Sequence, residues 1–157
     1  MAKPGISTVG ALVGWATETT AGTKPAAFTK LTRVNAVGGI NIDVEEIDAS
    51  ALEDEIERSI AGRGSTGGNF TITINLTDET VTEWEGLISA YNTAKTAGKG
   101  LWVETYFPAL TKAFFVVCEP PTKIPQPEVA QNGLLTAEMQ MTINEYKGLD
   151  TAVVPTT

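Results

Sequence analysis

A run of carboxylates over residues 43–57 is the part of this sequence whose residue types could most readily do chemistry. It lies within the stretch INIDVEEIDASALEDEIERSIAGRGSTGG and contains no basic residue before Arg58. Clustered carboxylates can bind calcium, and paired carboxylates can act as the acid and base of glycoside hydrolysis. The acidic residues are Asp43, Glu45, Glu46, Asp48, Glu53, Asp54, Glu55 and Glu57.

The spacing of these acids argues against both kinds of site. The calcium-loop pattern of alternating acids followed by glycine is absent, and Asp43 and Glu46 would point to opposite sides of a strand. The sequence has no histidine and one cysteine, which excludes His-dependent catalysis, His-ligated metals and Cys-rich zinc sites. No P-loop or dinucleotide fingerprint is present. We therefore expect no enzyme activity, no metal and no cofactor.

The crowding of like charge favours an assembly instead. Nearby like charges repel, so the acidic block makes sense where it meets a complementary surface on another copy or keeps a polyanion from adhering. With 157 residues, a net charge of −8 and a pI of about 4.5, the chain fits one domain that cannot hold nucleic acid by neutralising phosphates. No apolar run reaches membrane-spanning length and the first residues make a poor secretory signal, so we expect synthesis in a cytoplasm.

The elements that must position these charges are mainly strands. Residues 69–77 and 135–146 alternate between apolar and polar side chains, as half-buried antiparallel strands do. Residues 112–118 are apolar on both faces and predict a central strand that is covered on both sides and contains a buried Cys118. Shorter strands are predicted at residues 9–16, 28–37, 40–47 and 101–107, with a bulge or strand end where the alternation slips at Glu46.

One helix is predicted over residues 78–97. Val81, Trp84 and Tyr91 recur at helical spacing and form an apolar stripe, together with Leu87 or Ile88. Thr77 or Thr80 can cap its N-terminus, and Thr80 with Glu83 fits a capping box. The aromatic residues of this region and of residues 101–107 are expected to pack in the core rather than to bind a ligand.

The resulting prediction is a single domain over residues 1–157 with a mainly β fold: antiparallel, sandwich- or barrel-forming sheets with one flanking α-helix. Residues 1–8 and 147–157 are predicted to be extended terminal arms. Residues 48–68 are predicted to form a long acidic loop, which in a compact domain is typically functional or mobile.

This succession of elements resembles the tail tube (major tail) proteins of long, non-contractile-tailed bacteriophages. The resemblance covers most of residues 38–148 and is carried by GGINIDVEEIDASALED, IAGRGSTGGNFTITINL, the helix TVTEWEGLISAYNTA, GLWVETYFP and the final MQMTINEYKG. It implies a β-sandwich protomer that forms hexameric rings, whose inner sheets join into a barrel, and rings that stack into a tube for DNA delivery.

The resemblance also implies a place and a set of partners. The protein would lie in the tail of a virion assembled in the host cytoplasm. Its partners would be other copies of itself, a tape-measure protein, and tail terminator and tail-tip proteins. DNA would pass through without specific binding, and no membrane would be involved.

Two residue sets follow from this interpretation. The first is expected to line the bore, because it forms the polar faces of the predicted strands: Asn41, Asp43, Glu45, Asn69, Thr71, Thr73, Asn75, Glu138, Gln140, Thr142 and Asn144. The second is expected to make contacts between rings, because a basic N-terminal region can meet the acidic loop of the next ring: Asp48, Glu53, Asp54, Glu55, Arg58, Arg63, Lys24, Lys30 and Arg33.

Two alternatives are compatible with the same pattern. The inner tube protein of a contractile tail or of a secretion system shares the fold class. An immunoglobulin-like or carbohydrate-binding surface module is a different class, which predicts a monomer with exposed sugar-binding aromatic residues.

Overall fold

The computed structural model describes residues 4–157, which form nine strands and one helix. The strands are β1 (Leu12–Thr17), β2 (Thr29–Leu31), β3 (Val34–Val37), β4 (Asp43–Asp48), β5 (Ser59–Ser65), β6 (Asn69–Asn75), β7 (Leu101–Tyr106), β8 (Lys112–Glu119) and β9 (Thr136–Thr151). The helix α1 (Asp78–Thr96) lies between β6 and β7. This confirms the predicted fold class, which is mainly β with antiparallel sheets and one flanking helix.

Seven strands form one antiparallel sheet in the order β2-β1-β7-β8-β9-β6-β3, and β4 and β5 form a separate hairpin. The large sheet curls strongly. Val13 of β1 and Val34 of β3 lie toward opposite ends of the strand order, yet both pack against the same hydrophobic core. The two halves of the curled sheet therefore enclose a core much as the two layers of a sandwich do.

The alternation seen in the sequence determines which side chains enter this core. Phe70, Ile72 and Ile74 of β6 are buried on the core face, and the matching residues of β9 lie beside them through the register Ile72↔Met139. A second, smaller cluster lies on the other face of β7 and β8 and contains Phe28, Trp102, Ala113 and Phe115. As predicted, β8 is covered on both sides and Cys118 is buried.

Helix α1 packs Trp84, Leu87 and Tyr91 onto the main core. Its N-terminus is capped by Thr77, whose hydroxyl accepts from the Thr80 N–H at 3.2 Å, and the Thr80 hydroxyl accepts from the Thr77 N–H at 2.8 Å. The predicted Thr80–Glu83 capping box was wrong by one turn. Because Thr80 already completes the box with Thr77, the Glu83 carboxylate is left to bind another segment.

That segment is the connection between β2 and β3, which the sequence predicted as one strand over residues 28–37. The Glu83 carboxylate accepts from the Thr32 N–H at 2.7 Å and from its hydroxyl at 2.9 Å. The next residue, Arg33, has a φ of 53°, which a continuous strand does not allow. The break in the predicted strand therefore coincides with a tertiary contact from the helix, and no local sequence pattern indicated it.

The predicted loop over residues 48–68 contains a strand. Ser59–Ser65 pairs with Asp43–Asp48, and the register shifts between Val44 and Glu46, where the sequence predicted a bulge or strand end. Two glycines, Gly62 and Gly64, hid the strand because glycine is depleted in strands and provides no alternation. The irregular structure within this range is thus confined to residues 49–58 and 66–68.

The first part of the predicted C-terminal arm, residues 147–157, is strand. Residues 147–151 belong to β9, and the segment beyond them crosses the outer side of the sheet, where Pro155 is buried. Backbone bonds join Thr156 to Phe28 and Lys30 at 3.0 and 2.9 Å. A Cβ on Gly14 would lie 2.9 Å from the Pro155 ring, so glycine in β1 permits this close approach.

The predicted N-terminal arm lies partly outside the described residues, since its first three residues are not described; residues 4–8 are exposed and lie outside any strand or helix. Within the described part of the chain, no helix has the length and the apolar character that crossing a membrane requires.

Candidate assembly surfaces

The outer face of β6 and β9 forms a continuous polar surface, which we call the polar strip. Antiparallel pairing sets Thr71 opposite Gln140 and Thr73 opposite Glu138. The strip brings together most of the residues predicted to line a bore: Asn69, Thr71, Thr73, Asn75, Glu138, Gln140 and Thr142. Asn144 follows in the bulge where β9 passes from the register Cys118↔Ile143 to Val117↔Glu145.

The polar strip is uncovered, whereas the other half of the outer face is not. Over β7 and β8, the outer side chains are covered by Phe28 and by the C-terminal residues Ala152 and Val153. Over β6 and β9 the polar side chains stay exposed or half-exposed. Glu138 is the only charged member of the strip's β6–β9 pairs, so these pairs offer no cation to a phosphate and no aromatic ring to a base. Further along β9, Lys147 is engaged by Glu145 and lies 5.6 Å from the centre of the Trp102 ring.

The remaining bore candidates, Asn41, Asp43 and Glu45, lie elsewhere. They belong to the start and first strand of the β4–β5 hairpin, which pairs with no other strand in the described residues. The structure therefore does not bring them into the polar strip. The Asn41 amide donates to the Asp43 carboxylate at 3.3 Å, and Glu45 lies in the bulge.

The hairpin has two faces of opposite chemistry. Register and the bulge place Ile42, Val44, Ile47 and Ile60 on one face, where Gly62 and Gly64 leave room for the neighbouring isoleucines. The other face carries Asp43, Glu46, Asp48, Ser59, Arg63 and Ser65. All four apolar side chains are about half exposed, from 49 to 57 %, which is unusual for residues that could pack against a core.

The tip of the hairpin is an ordered turn. Asp54 accepts from the Ala51 N–H at 2.8 Å and pairs with the Arg58 guanidinium at 3.2 Å. Asp48 accepts from the Ser50 N–H at 2.9 Å, and this bond holds the pKa of Asp48 below its ordinary value. Leu52 and Ile56 project from this turn and are 109 and 80 % exposed.

The basic residues predicted to make contacts between rings lie on the body of the protein. Lys30 is on the edge strand β2 and Arg33 is exposed at the β2–β3 turn. Lys24 is already engaged within the chain: its ammonium donates to the Thr151 carbonyl at 2.7 Å and lies 4.1 Å from the centre of the Phe115 ring. The acidic candidates and Arg58 lie at the distal part of the hairpin, and Arg63 lies on β5.

An open groove of about 500 Å³ lies between the two halves of the curled sheet, at a place that helix α1 does not line. β3 forms one wall with Val34, Asn35, Ala36 and Val37, and the chain continues along it to Ile40. Phe107, Phe114 and Tyr146 contribute from the opposite half. The hairpin begins beside this groove, since β4 starts three residues after Ile40.

The alternation of residues 40–47 predicts the apolar face of β4, but no sequence pattern led to the groove or to the apolar tip of the hairpin. The groove results from the curl of the sheet, which no local pattern encodes. The apolar tip was detectable in principle, because Leu52 and Ile56 stand four residues apart among the acids, but a run of acids is typical of a solvated loop. The described residues contain no cluster of three His, Cys, Asp or Glu side chains that could hold a metal ion.

Comparisons with known proteins identify the fold. No family model and no curated protein matches this sequence. Two similar solved structures come from gene transfer agent particles. A chain of the native virion has a TM-score of 0.53 at 14 % identity, with 91 % of this chain and 95 % of that chain covered. A chain of the tail of an empty particle, refined with C6 symmetry, has a TM-score of 0.54 at 15 % identity and covers 90 % and 95 %.

A third similar structure is a chain of the anti-feeding prophage baseplate, refined with six-fold symmetry. It has a TM-score of 0.55 at 8 % identity, with 98 % of this chain and 100 % of that chain covered. In each case the match extends over almost the whole of both chains. At these identities the likeness is one of fold, shared with chains from a virion, a tail and a baseplate.

Proposed function

We propose that this protein is a structural subunit of a phage-type tail, and that it builds the tail tube by forming rings that stack. The observation that carries the proposal is the polar strip: an exposed sheet surface whose β6–β9 pairs contain no cation, on a fold shared with chains from tail assemblies. The six-fold symmetry of two of those assemblies supports hexameric rings.

The free sheet edge supports closure by another copy. The β2 edge is occupied, because Thr156 pairs with Thr29 and bonds to Phe28 and Lys30. In the described residues the β3 edge pairs only with β6, so its outer backbone groups are available. An open edge is an aggregation liability that a closed barrel removes. In a ring, pairing of β3 with a strand of the next copy would satisfy these backbone groups.

The chemistry of the polar strip suits a conduit for DNA. Threonine, asparagine and glutamine side chains are well hydrated but do not neutralise phosphates, which is what binding to nucleic acid requires. The strip also lacks the aromatic side chains on which bases of single strands stack. Repulsion from Glu138 would extend about 8 Å at physiological salt. DNA passing such a wall would be kept from adhering.

The hairpin is proposed to contact the adjacent ring. It projects from the body with its acids exposed, and residues 40–68 hold eight of the nineteen carboxylates of the chain but two of its eleven cations. A head-to-tail contact between different surfaces propagates as a filament. The tape-measure, terminator and tip proteins would then be its partners within the tail.

The test is assembly followed by labelling. We expect purified protein to form rings or tubes visible by negative-stain electron microscopy. In the tubes, a cysteine at Gln140 should react with a small maleimide that can enter the bore but not with a maleimide carried on a bulky protein. A control cysteine at Ser89, exposed on helix α1, should react with both. Equal reaction of Gln140→Cys with the bulky reagent would place the polar strip on the outside.

A second candidate is the inner tube of a contractile tail or secretion system. The fold does not separate it from the first candidate, because the likeness to the anti-feeding prophage baseplate chain equals the likeness to the gene transfer agent chains. A sheath protein encoded beside this chain, and co-sedimentation of that sheath with the tubes, would distinguish the two. The surface-module alternative loses support because Trp84, Tyr91 and Trp102 are buried.

A further inference from the structure

We infer that the apolar groove beside β3 is the receptor for the hairpin tip of another copy of this chain, with Leu52 and Ile56 as the inserting side chains. This inference rests on the proposed function, because it identifies the partner surface of the hairpin. It also implies that burial of apolar surface, rather than attraction between charges alone, stabilises the contact.

The residues that line the groove are suited to binding an apolar side chain. Val34, Val37 and Ile40 pack along one side and are only half-buried, and Phe107, Phe114 and Tyr146 face them from the other half of the sheet. No residue of helix α1 lines it. Half-buried aromatic rings beside aliphatic side chains are typical of the centre of a protein interface.

The hairpin tip has the matching chemistry. Leu52 is as exposed as in an isolated chain, and Ile56 is 80 % exposed. The turn that carries them is held by the Asp54–Arg58 ion pair and by the Ala51 N–H bond to Asp54. Two large apolar side chains presented by an ordered turn act as a preorganised knob, which lowers the entropic cost of binding.

The hairpin cannot fill the groove of its own chain. β4 leaves the groove just after Ile40 and runs for six residues, which is about 20 Å of extended chain. Leu52 and Ile56 therefore lie well beyond the groove from which the hairpin starts. A second copy is the occupant whose groove the tip can reach.

A cation near the groove agrees with this occupant, although it also interacts with Asp150, whose pKa it helps to lower. Lys112 is exposed and lies on the same side of β8 as Phe114, two residues away. In the described residues it forms no ion pair. Glu53 and Glu55 flank the tip and are exposed. An apolar centre with opposite charges at its rim is the usual anatomy of a specific interface.

Disulfide trapping between two variants, each with one introduced cysteine, tests the inference. Leu52→Cys protein is mixed with Phe114→Cys protein under assembly conditions and oxidised. The native Cys118 is fully buried and does not interfere. We expect a disulfide-linked dimer, seen on a non-reducing gel, at least tenfold more abundant than the dimer formed by Leu52→Cys with the helix control Ser89→Cys.

The outcomes separate the inference from the proposed function. Rings or tubes without preferential Leu52–Phe114 trapping would overturn the groove as receptor and leave the tube proposal standing. Absence of both assemblies and trapping would overturn both. As an independent check, Leu52→Asp should prevent assembly and Leu52→Met should preserve it, since both changes are at a fully exposed position and leave the fold intact. Normal tubes from Leu52→Asp would also overturn the inference.

Discussion

Glu104 shows how one buried carboxyl can hold a terminal segment to this fold. The residue lies in β7, fully buried, and its Oε2 accepts from the Val153 N–H at 2.9 Å. Its Oε1 has no partner within the described residues. Burial raises the pKa of Glu104 above its ordinary value of 4.5, although the bond from Val153 and the nearby Lys24 ammonium oppose the shift.

The sign of this shift predicts a pH dependence. Because the pKa of Glu104 is raised in the folded state, its contribution to stability is fully present below the ordinary pKa, near 4.5. That stability is lost as the pH rises from the ordinary pKa through the raised pKa of the folded state. Glu104→Gln keeps an acceptor for Val153 and removes the charge. We expect its melting temperature to exceed that of the wild type by an amount that grows from pH 4.5 to pH 8.

Two further variants make the measurement decisive. Glu104→Ala leaves the Val153 N–H unpaired and should lower the free energy of unfolding by about 1–3 kcal/mol. The exposed control Glu128→Gln should leave the melting temperature nearly unchanged at each pH. A constant difference between Glu104→Gln and the wild type across this range would contradict the role of burial.

At the scale of elements, the hairpin is a self-contained unit whose acids differ in function. Asp54 holds the turn through Ala51 and Arg58, and Asp48 accepts from Ser50. Glu53 and Glu55 form no hydrogen bond or ion pair in the described structure and point to solvent. A test of the intermolecular contact should therefore change these two residues and retain Asp54.

We predict that Glu53→Lys/Glu55→Lys shortens or abolishes tubes while changing the free energy of unfolding by less than about 0.5 kcal/mol, as is usual for exposed positions. In the proposed contact, reversed charge at the tip would come near Lys112, which lies on the same side of β8 as Phe114. The matched control is Glu85→Lys/Glu128→Lys, with two exposed acids outside the hairpin. Tube lengths measured by electron microscopy should be normal for the control. Normal lengths for the hairpin variant would argue that the acidic tip lies outside any contact.

At the scale of the whole molecule, packing of apolar side chains joins helix α1 to the sheet, in addition to the hydrogen bonds that Glu83 accepts from Thr32 and that Tyr91 donates to Glu119. Trp84 is completely buried, and its indole N–H has no partner in the described residues. Cys118 lies in the same core, where burial raises the pKa of its thiol. The thiol should therefore stay unreactive until the core opens.

This arrangement predicts that Cys118 reports global unfolding. Trp84→Ala should lower the free energy of unfolding by about 3–5 kcal/mol, against a total of about 5–15 kcal/mol for a typical domain. The rate at which a thiol reagent labels Cys118 should rise by the corresponding factor. Ser89→Ala, on the exposed face of the same helix, should change neither quantity appreciably. Rapid labelling of the native wild type would show that the core opens locally.

Individual elements show which features of the fold the sequence could predict and which it could not. The core face of β6 was predictable because alternation is a local property of the chain, and helix α1 was predictable because its apolar stripe repeats every turn. The break at Arg33 was not, because it accompanies a contact from Glu83, fifty-one residues away. Strand β5 was not, because its glycines show no pattern until β4 pairs with it.

The sequence by itself determined the mainly β class, the helix, the polar and apolar faces of β6 and β9, and the concentration of acids in one projecting segment. These properties depend on periodicity and charge along neighbouring residues. Only the tertiary structure decided that the polar strip is left uncovered, that the C-terminal segment is fastened across β1 and β7, and that a groove opens beside β3. Those features arise from strand order and curl, which depend on contacts between residues distant along the chain.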